Sequence, residues 1–161
     1  MNLAEQYILA VKSGEELVCE YVQLAVDRHL NDLKTGAERG IYFDVEAGEH
    51  AIAFVKLLRH TKGEKANQLF DLQPFQAFVL YVLFGWKRTG GARRYSKAYK
   101  EIARKGGKTE FAAAIANYCL LADGEHGAEI FTAATKRDQA MICFDRSKSM
   151  MRKLQIDSEA I

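Results

Sequence analysis

The chain has 161 residues, enough for one domain or most of one, with 48% hydrophobic and 27% charged residues. That balance excludes a disordered chain and a low-complexity protein and permits a buried core. The net charge of +2 says little, but its distribution is uneven. Nine basic residues (Lys87, Arg88, Arg93, Arg94, Lys97, Lys100, Arg104, Lys105 and Lys108) lie between positions 87 and 108, with Glu101 the only acid among them. Such a run is usually a solvated surface; here it leads into a Gly-Gly-Lys-Thr turn, which makes a phosphate or polyanion surface worth weighing.

The three cysteines, Cys19, Cys119 and Cys143, have neither metal-ligand nor redox spacing and read as reduced thiols of a cytoplasmic protein. Residues 1–11 lack the form of a signal peptide. The most apolar stretch, from Phe75 to Trp86, is too short to span a bilayer, so no membrane anchor is expected.

In chain order, a first helix is predicted over Glu15–Leu33, with Val18, Val22, Val26, Leu30 and Leu33 on one face and Ser13 as its cap. Gly36 and Gly40 end it. A second helix covers Val45–Arg59, capped by Asp44, with Ala51, Phe54, Val55 and Leu58 as its buried stripe. Residues 60–73 read as a polar loop. A third helix opens at Pro74, a residue suited to the first helical turn, and carries Phe75, Phe78, Val79, Val82 and Leu83 to about Gly85. Phe78, Phe84 and Trp86 read as core rather than as base-stacking residues.

Thr89-Gly90-Gly91 is a turn, and Arg94–Ala103 reads as a strand broken by Gly106-Gly107. An alanine-rich helix follows over Lys108–Ala122 and is closed by Asp123-Gly124. Glu129–Ala134 reads as a second short strand, 136–153 as a last helix, and 154–161 as a frayed tail. Strand, helix, strand, helix is a βαβ pattern, which implies parallel strands and an α/β class.

The segment Ala103-Arg104-Lys105-Gly106-Gly107-Lys108-Thr109 thus falls between a predicted strand and a predicted helix. Glycines let backbone N–H groups turn toward phosphates, and the helix N-terminus adds partial positive charge. Lys108 would reach β- and γ-phosphates and Thr109 would hold Mg²⁺. The strict pattern places glycine at position 102, where this chain has Ile102. A basic turn without a ligand is the alternative. Glu46, Glu49 and His50 share helical spacing that admits a metal site, but a solvated helix face is the simpler reading.

Ile102–Thr109, followed by the alanine-rich helix, resembles the deviant Walker A of tailed-bacteriophage terminase large subunits, in which the first glycine is dispensable and an Arg-Lys pair is common. Leu72-Gln73-Pro74-Phe75-Gln76, running into Leu83–Trp86, resembles the adenine-recognition segment of that family. Ala133–Ala140 resembles its later strand-to-helix junction. The resemblance implies a helical leader over 1–73 and, over 74–161, an incomplete P-loop NTPase-like βαβα unit with parallel strands.

It further implies ATP and Mg²⁺ as ligands, Gln76 at the adenine edge, Arg104 near the γ-phosphate, and Lys105, Gly106, Gly107, Lys108 and Thr109 around the phosphates, with Mg²⁺ on Thr109. Double-stranded DNA, the terminase small subunit and the portal would be partners of the parent protein in a bacterial host cytoplasm. No apolar strand ends in a Walker B acid, because Asp157 and Glu159 follow a segment too short and too polar. The expectation is therefore an N-terminal ATPase-domain fragment of a prophage or phage gene that does not turn over ATP alone, with unpaired sheet edges that favour self-association. The alternatives are a nonspecific DNA-binding or scaffold module using the basic 87–108 segment, and a vestigial prophage product.

Overall fold

The computed structural model describes residues 1–159. The chain is mixed α and β, dominated by helices: α1 (Leu3–Ser13), α2 (Glu20–Thr35), a 3₁₀ turn (Ala37–Arg39), β1 (Ile41–Phe43), α3 (Val45–Leu57), α4 (Pro74–Gly85), β2 (Trp86–Arg88), α5 (Lys108–Leu121) and α6 (Arg137–Glu159). It divides into two compact units. The first joins Met1–Ile52 with Gln73–Tyr99; the second joins Ala53–Leu72 with the chain from Lys100 onward.

In the first unit, α1 starts where Asn2 accepts hydrogen bonds from the Ala4 and Glu5 N–H groups and Glu5 returns one from the Asn2 N–H, a complete capping box. Its apolar face (Ala4, Tyr7, Ile8, Val11) packs on α4, where the Tyr7 and Phe78 rings lie 5.7 Å apart. Gly14, in the left-handed conformation, ends it. The single helix expected over Glu15–Leu33 is therefore corrected. Ser13 closes α1 rather than capping a helix, residues 14–19 form the turn, and Cys19 precedes α2. Of the expected stripe only Val26 is fully buried, and His29 and Asp32 complete the inner face of α2.

β1 and β2 form a short antiparallel pair in which Ile41 opposes Arg88 and Phe43 opposes Trp86. Asp44 caps α3 as expected, accepting from the Ala47 N–H at 3.0 Å, and pairs with Lys87 at 2.8 Å. Phe78, Phe84 and Trp86 are buried, as their apolar spacing implied. Around His29 the rings of Phe43, Phe78, Tyr81 and Trp86 pack edge-on. Asp32, 2% exposed, binds Arg39 and Arg94. Burial raises its pKa, but the hydrogen bonds and charge of the two guanidinium groups outweigh burial and hold the carboxyl below the ordinary range.

In the second unit, α5 packs on α6. Ala113 and Ala114 are fully buried, as small residues at a close helix contact should be, with Phe111, Tyr118 and Met150 beside them. Asn117, also fully buried, satisfies its amide on the Ser147 carbonyl and hydroxyl. The stretch read as a polar loop is a folded-back hairpin. Phe70 N–H bonds Leu58 O at 2.7 Å and His60 N–H bonds Gln68 O at 2.9 Å, which buries Phe70 and Leu72.

The two expected parallel strands are not strands. In 94–103 only the first residue joins the hairpin that follows β2, where Arg94 N–H bonds Trp86 O at 2.9 Å; residues 97–103 have no strand or bridge assignment. Residues 129–134 also lack a ladder, and Phe131 is 83% exposed. A parallel strand needs a hydrogen-bonded neighbour and burial on both faces. Among the described residues none supplies that neighbour, and Lys97, Lys100 and Glu101 do not form an apolar face. The tail expected to fray from 154 is helical through Glu159; residues 160 and 161 lie outside the described ones. No helix among the described residues is long and apolar enough to cross a membrane.

His29 supplies a pH test of this packing. Its pKa is pushed down to about 4 from an ordinary 6.5, because burial disfavours the imidazolium; nearby Asp32 opposes the shift only partly. The unfolded chain takes up this proton near 6.5 and the folded one near 4, so this contribution is complete above 6.5 and is lost as pH falls toward 4. The expected loss between pH 7 and pH 5 is about 2 kcal/mol, read as a fall in the urea midpoint. His29→Gln keeps an acceptor for the Trp86 indole and should flatten this part of the profile. An equal fall in that variant would show that His29 is not its source.

Candidate functional site

The glycine-rich segment is a tight turn feeding α5. Lys105 and Gly107 both lie in the left-handed region, at φ 67° and 75°, while the Gly106 N–H bonds Ala103 O at 3.2 Å. The turn is thus closed within itself between Ala103 and Gly106 before the chain enters α5. Gly106 has a further reason to be glycine: a Cβ there would run into the Ile102 side chain and stand 3.2 Å from the Ala103 carbonyl oxygen. Arg104, Lys105, Gly107 and Lys108 are exposed, and Gly106 and Thr109 half-buried.

Gly107 is the N-cap of α5 and has no side chain with which to cap it. The first intrahelical donor is Phe111, whose N–H bonds Gly107 O at 3.0 Å. The N–H groups of Lys108, Thr109 and Glu110 thus sit ahead of the helical ladder, at the positive end of a 14-residue helix. Lys108 folds back over the turn and donates from Nζ to the Ile102 carbonyl at 2.8 Å. Within the second unit, then, Arg104, Lys105, Gly106, Gly107, Lys108 and Thr109 share one short turn.

Gln76 lies in the first unit, at the third position of α4 and 5% exposed. Its Oε1 accepts from the Gln73 N–H at 3.0 Å, so part of its amide closes the start of that helix. The third sequence segment marks the start of α6: Gln139 and Ala140 N–H groups both bond Lys136 O, and the residues before them are not a strand. Glu49, from the acidic helix face, accepts from Asn2 at 3.0 Å, and no group of three His, Cys, Asp or Glu among the described residues is placed to hold a metal.

Sequence reading missed the partners of Glu110, the residue after Thr109. His60 Nδ1 lies 2.6 Å from its Oε2, while Thr61 donates to Oε1 from both its backbone N–H (3.0 Å) and its hydroxyl (2.6 Å). Arg146 lies 3.2 Å from the same oxygen. Burial raises the Glu110 pKa, but the hydrogen bonds from His60 and Thr61 outweigh burial and keep it below the usual carboxylate range. These partners lie 36 to 50 residues away in sequence, and no local pattern marks them. Lys100 sits with its amine 3.8 Å from the Phe111 ring centroid, and burial pushes its pKa down to about 8.

The left-handed geometry at position 107 is open to a direct test. Gly107→Ala should lower stability by about 1–2 kcal/mol, because a Cβ in that conformation meets its own backbone. Equal urea midpoints for the two proteins would mean that the turn does not hold this shape in solution.

Among curated proteins and among solved structures, none matches this chain. The model of the family described as terminase large subunit, ATPase domain, matches residues 74–161. The match opens at Pro74, the first residue of α4, and takes in the glycine turn, α5 and α6. The chain belongs to the terminase large subunit ATPase-domain family.

Proposed function

We propose that residues 102–109 are the ATP-binding loop of a DNA-packaging terminase, within an ATPase core over 74–161 that follows a helical leader over 1–73. The observation that carries this reading is the uncapped start of α5 behind a glycine turn, with Lys108 folded across it. The residues fit a triphosphate. The N–H groups at the start of α5 and the helix dipole suit phosphate oxygens, and Lys108 would exchange the Ile102 carbonyl for the β- and γ-phosphates. Thr109 would supply a hydroxyl for Mg²⁺, and Arg104 would supply positive charge for the γ-phosphate. ATP supplies the phosphoryl chemistry; the chain's part is to hold and orient it.

Turnover by this chain alone is not expected. Hydrolysis requires an acid at the end of an apolar strand to help hold the metal, and among the described residues the segment with Asp157 and Glu159 is helical. In the packaging assembly, double-stranded DNA, the small subunit and the portal are the partners this reading calls for.

A nonspecific DNA surface is the second reading, favoured by the exposure of Arg104, Lys105 and Lys108. It is weakened elsewhere in the basic run. Lys87 is paired with Asp44, Arg94 with Asp32, and Lys100 lies against Phe111. The readings separate at Lys108. A fluorescent ATP analogue with Mg²⁺ should bind this chain, and Lys108→Ala should weaken it by at least about tenfold. No binding by either protein would overturn the nucleotide reading. Duplex DNA binding that survives Lys108→Ala and falls steeply with salt would then favour the basic surface.

A further inference from the structure

We infer that Glu110 is the positioning residue of the phosphate turn, clamped by His60 and Thr61 so that the first turn of α5 is fixed and its N–H groups stay open, with Arg146 offsetting its charge. This rests on the nucleotide reading above and adds to it a second layer of residues that do not touch the ligand.

A glutamate at the third position of a helix commonly swings back to bond the N-cap N–H, as Glu5 does in α1. Glu110 occupies the same position in α5 but does not cap Gly107. Its Oε1 takes both Thr61 donors and its Oε2 faces His60 Nδ1. The Asp71 N–H donates to His60 Nε2 at 3.0 Å, so the proton of the neutral ring lies on Nδ1 and points at the carboxylate. His60 is itself fixed by stacking on Phe70, with ring centroids 4.7 Å apart, and by Lys153, which donates to its carbonyl at 3.0 Å. The clamp therefore joins α5 to the 58–72 hairpin and to α6.

Two consequences follow for an anion at the turn. A carboxylate one residue beyond Thr109 would compete with phosphate for the same N–H groups if it were free to swing back; the clamp denies it that position. Its negative charge would also oppose a triphosphate, and Arg146, bonded to both Glu110 and the Thr61 hydroxyl, supplies the opposite charge. Helix-terminus charges act over about the first turn, and one of them can change anion affinity by about tenfold.

The test measures binding of the Mg²⁺–ATP analogue together with amide exchange along α5. Glu110→Ala should speed exchange at Phe111, Ala112 and Ala113, because the first turn loses its anchor; exchange is the readout for this variant, since it also removes the charge that opposes the triphosphate. Arg146→Met should weaken binding several-fold, and Glu110→Gln in the same chain should recover most of that loss, since the uncompensated charge is gone. A general packing role for Arg146 would not be rescued in this way. Unchanged exchange in Glu110→Ala, or a double variant as weak as Arg146→Met alone, would overturn the inference. If Glu110→Ala does not fold, the Arg146 pair decides. If the parent chain binds no analogue, the nucleotide reading fails, and so does the part of this inference that concerns the ligand. The clamp is then judged on exchange alone, and unchanged exchange in Glu110→Ala, or in Arg146→Met where the alanine variant does not fold, removes it.

Discussion

A carboxylate withdrawn from water must be met by donors and cations, and each unit of this chain has one such group on which its elements converge. In the first it is Asp32, 2% exposed and held by Arg39 and Arg94. In the second it is Glu110, held by His60, Thr61 and Arg146. Removing a partner from such a group leaves charge without compensation, which is costlier than losing one apolar contact. Each carboxylate therefore selects one arrangement of the segments around it. Asp32 fixes where the chain after β2 must lie, since Arg94 is its partner. Glu110 fixes the register between the start of α5 and the 58–72 hairpin.

That selection matters because the secondary structure alone specifies little. The only sheet among the described residues has two three-residue strands, which bury little by themselves. The glycine turn does not lean on a sheet for its shape. Its form is local: left-handed backbone at Lys105 and Gly107, a bond from Gly106 to Ala103, and the helix that follows. A strand positions a phosphate loop within a larger sheet, but the direction of the loop's N–H groups is set by its own dihedral angles.

The sequence was most legible where a signal is local. Pro74 at the start of α4, Asp44 capping α3 and the alanine run of α5 each placed a helix to within a few residues. It was least legible where structure depends on distant partners. The helix expected from Glu15 starts only at Glu20, because residues 14–19 form the turn after α1, and α1 with its capping box at Asn2 lay outside the apolar spacing of 18–33. The strand reading of 94–103 failed for a related reason. Weak alternation describes a strand only if a neighbouring strand exists, and Arg94 answers instead to Asp32, 62 residues earlier in the chain. In the candidate site, Gly106, Gly107, Lys108 and Thr109 could be named from spacing, whereas His60, Thr61 and Arg146 could not, since only folding brings them to Glu110.

The departure at position 102 shows how these levels interact. A strict phosphate-loop pattern has glycine there, and this chain has isoleucine. The Ile102 side chain occupies the space that a Cβ at Gly106 would need, and its carbonyl receives the Lys108 amine. Losing the first glycine therefore tightens the demand on a later one: with isoleucine at 102, position 106 can carry no side chain unless its neighbours move. The backbone at 102 meanwhile supplies the acceptor that holds Lys108 across the turn. A residue that weakens the motif when letters are compared is thus, in the folded chain, a packing neighbour of Gly106 and a partner of the lysine.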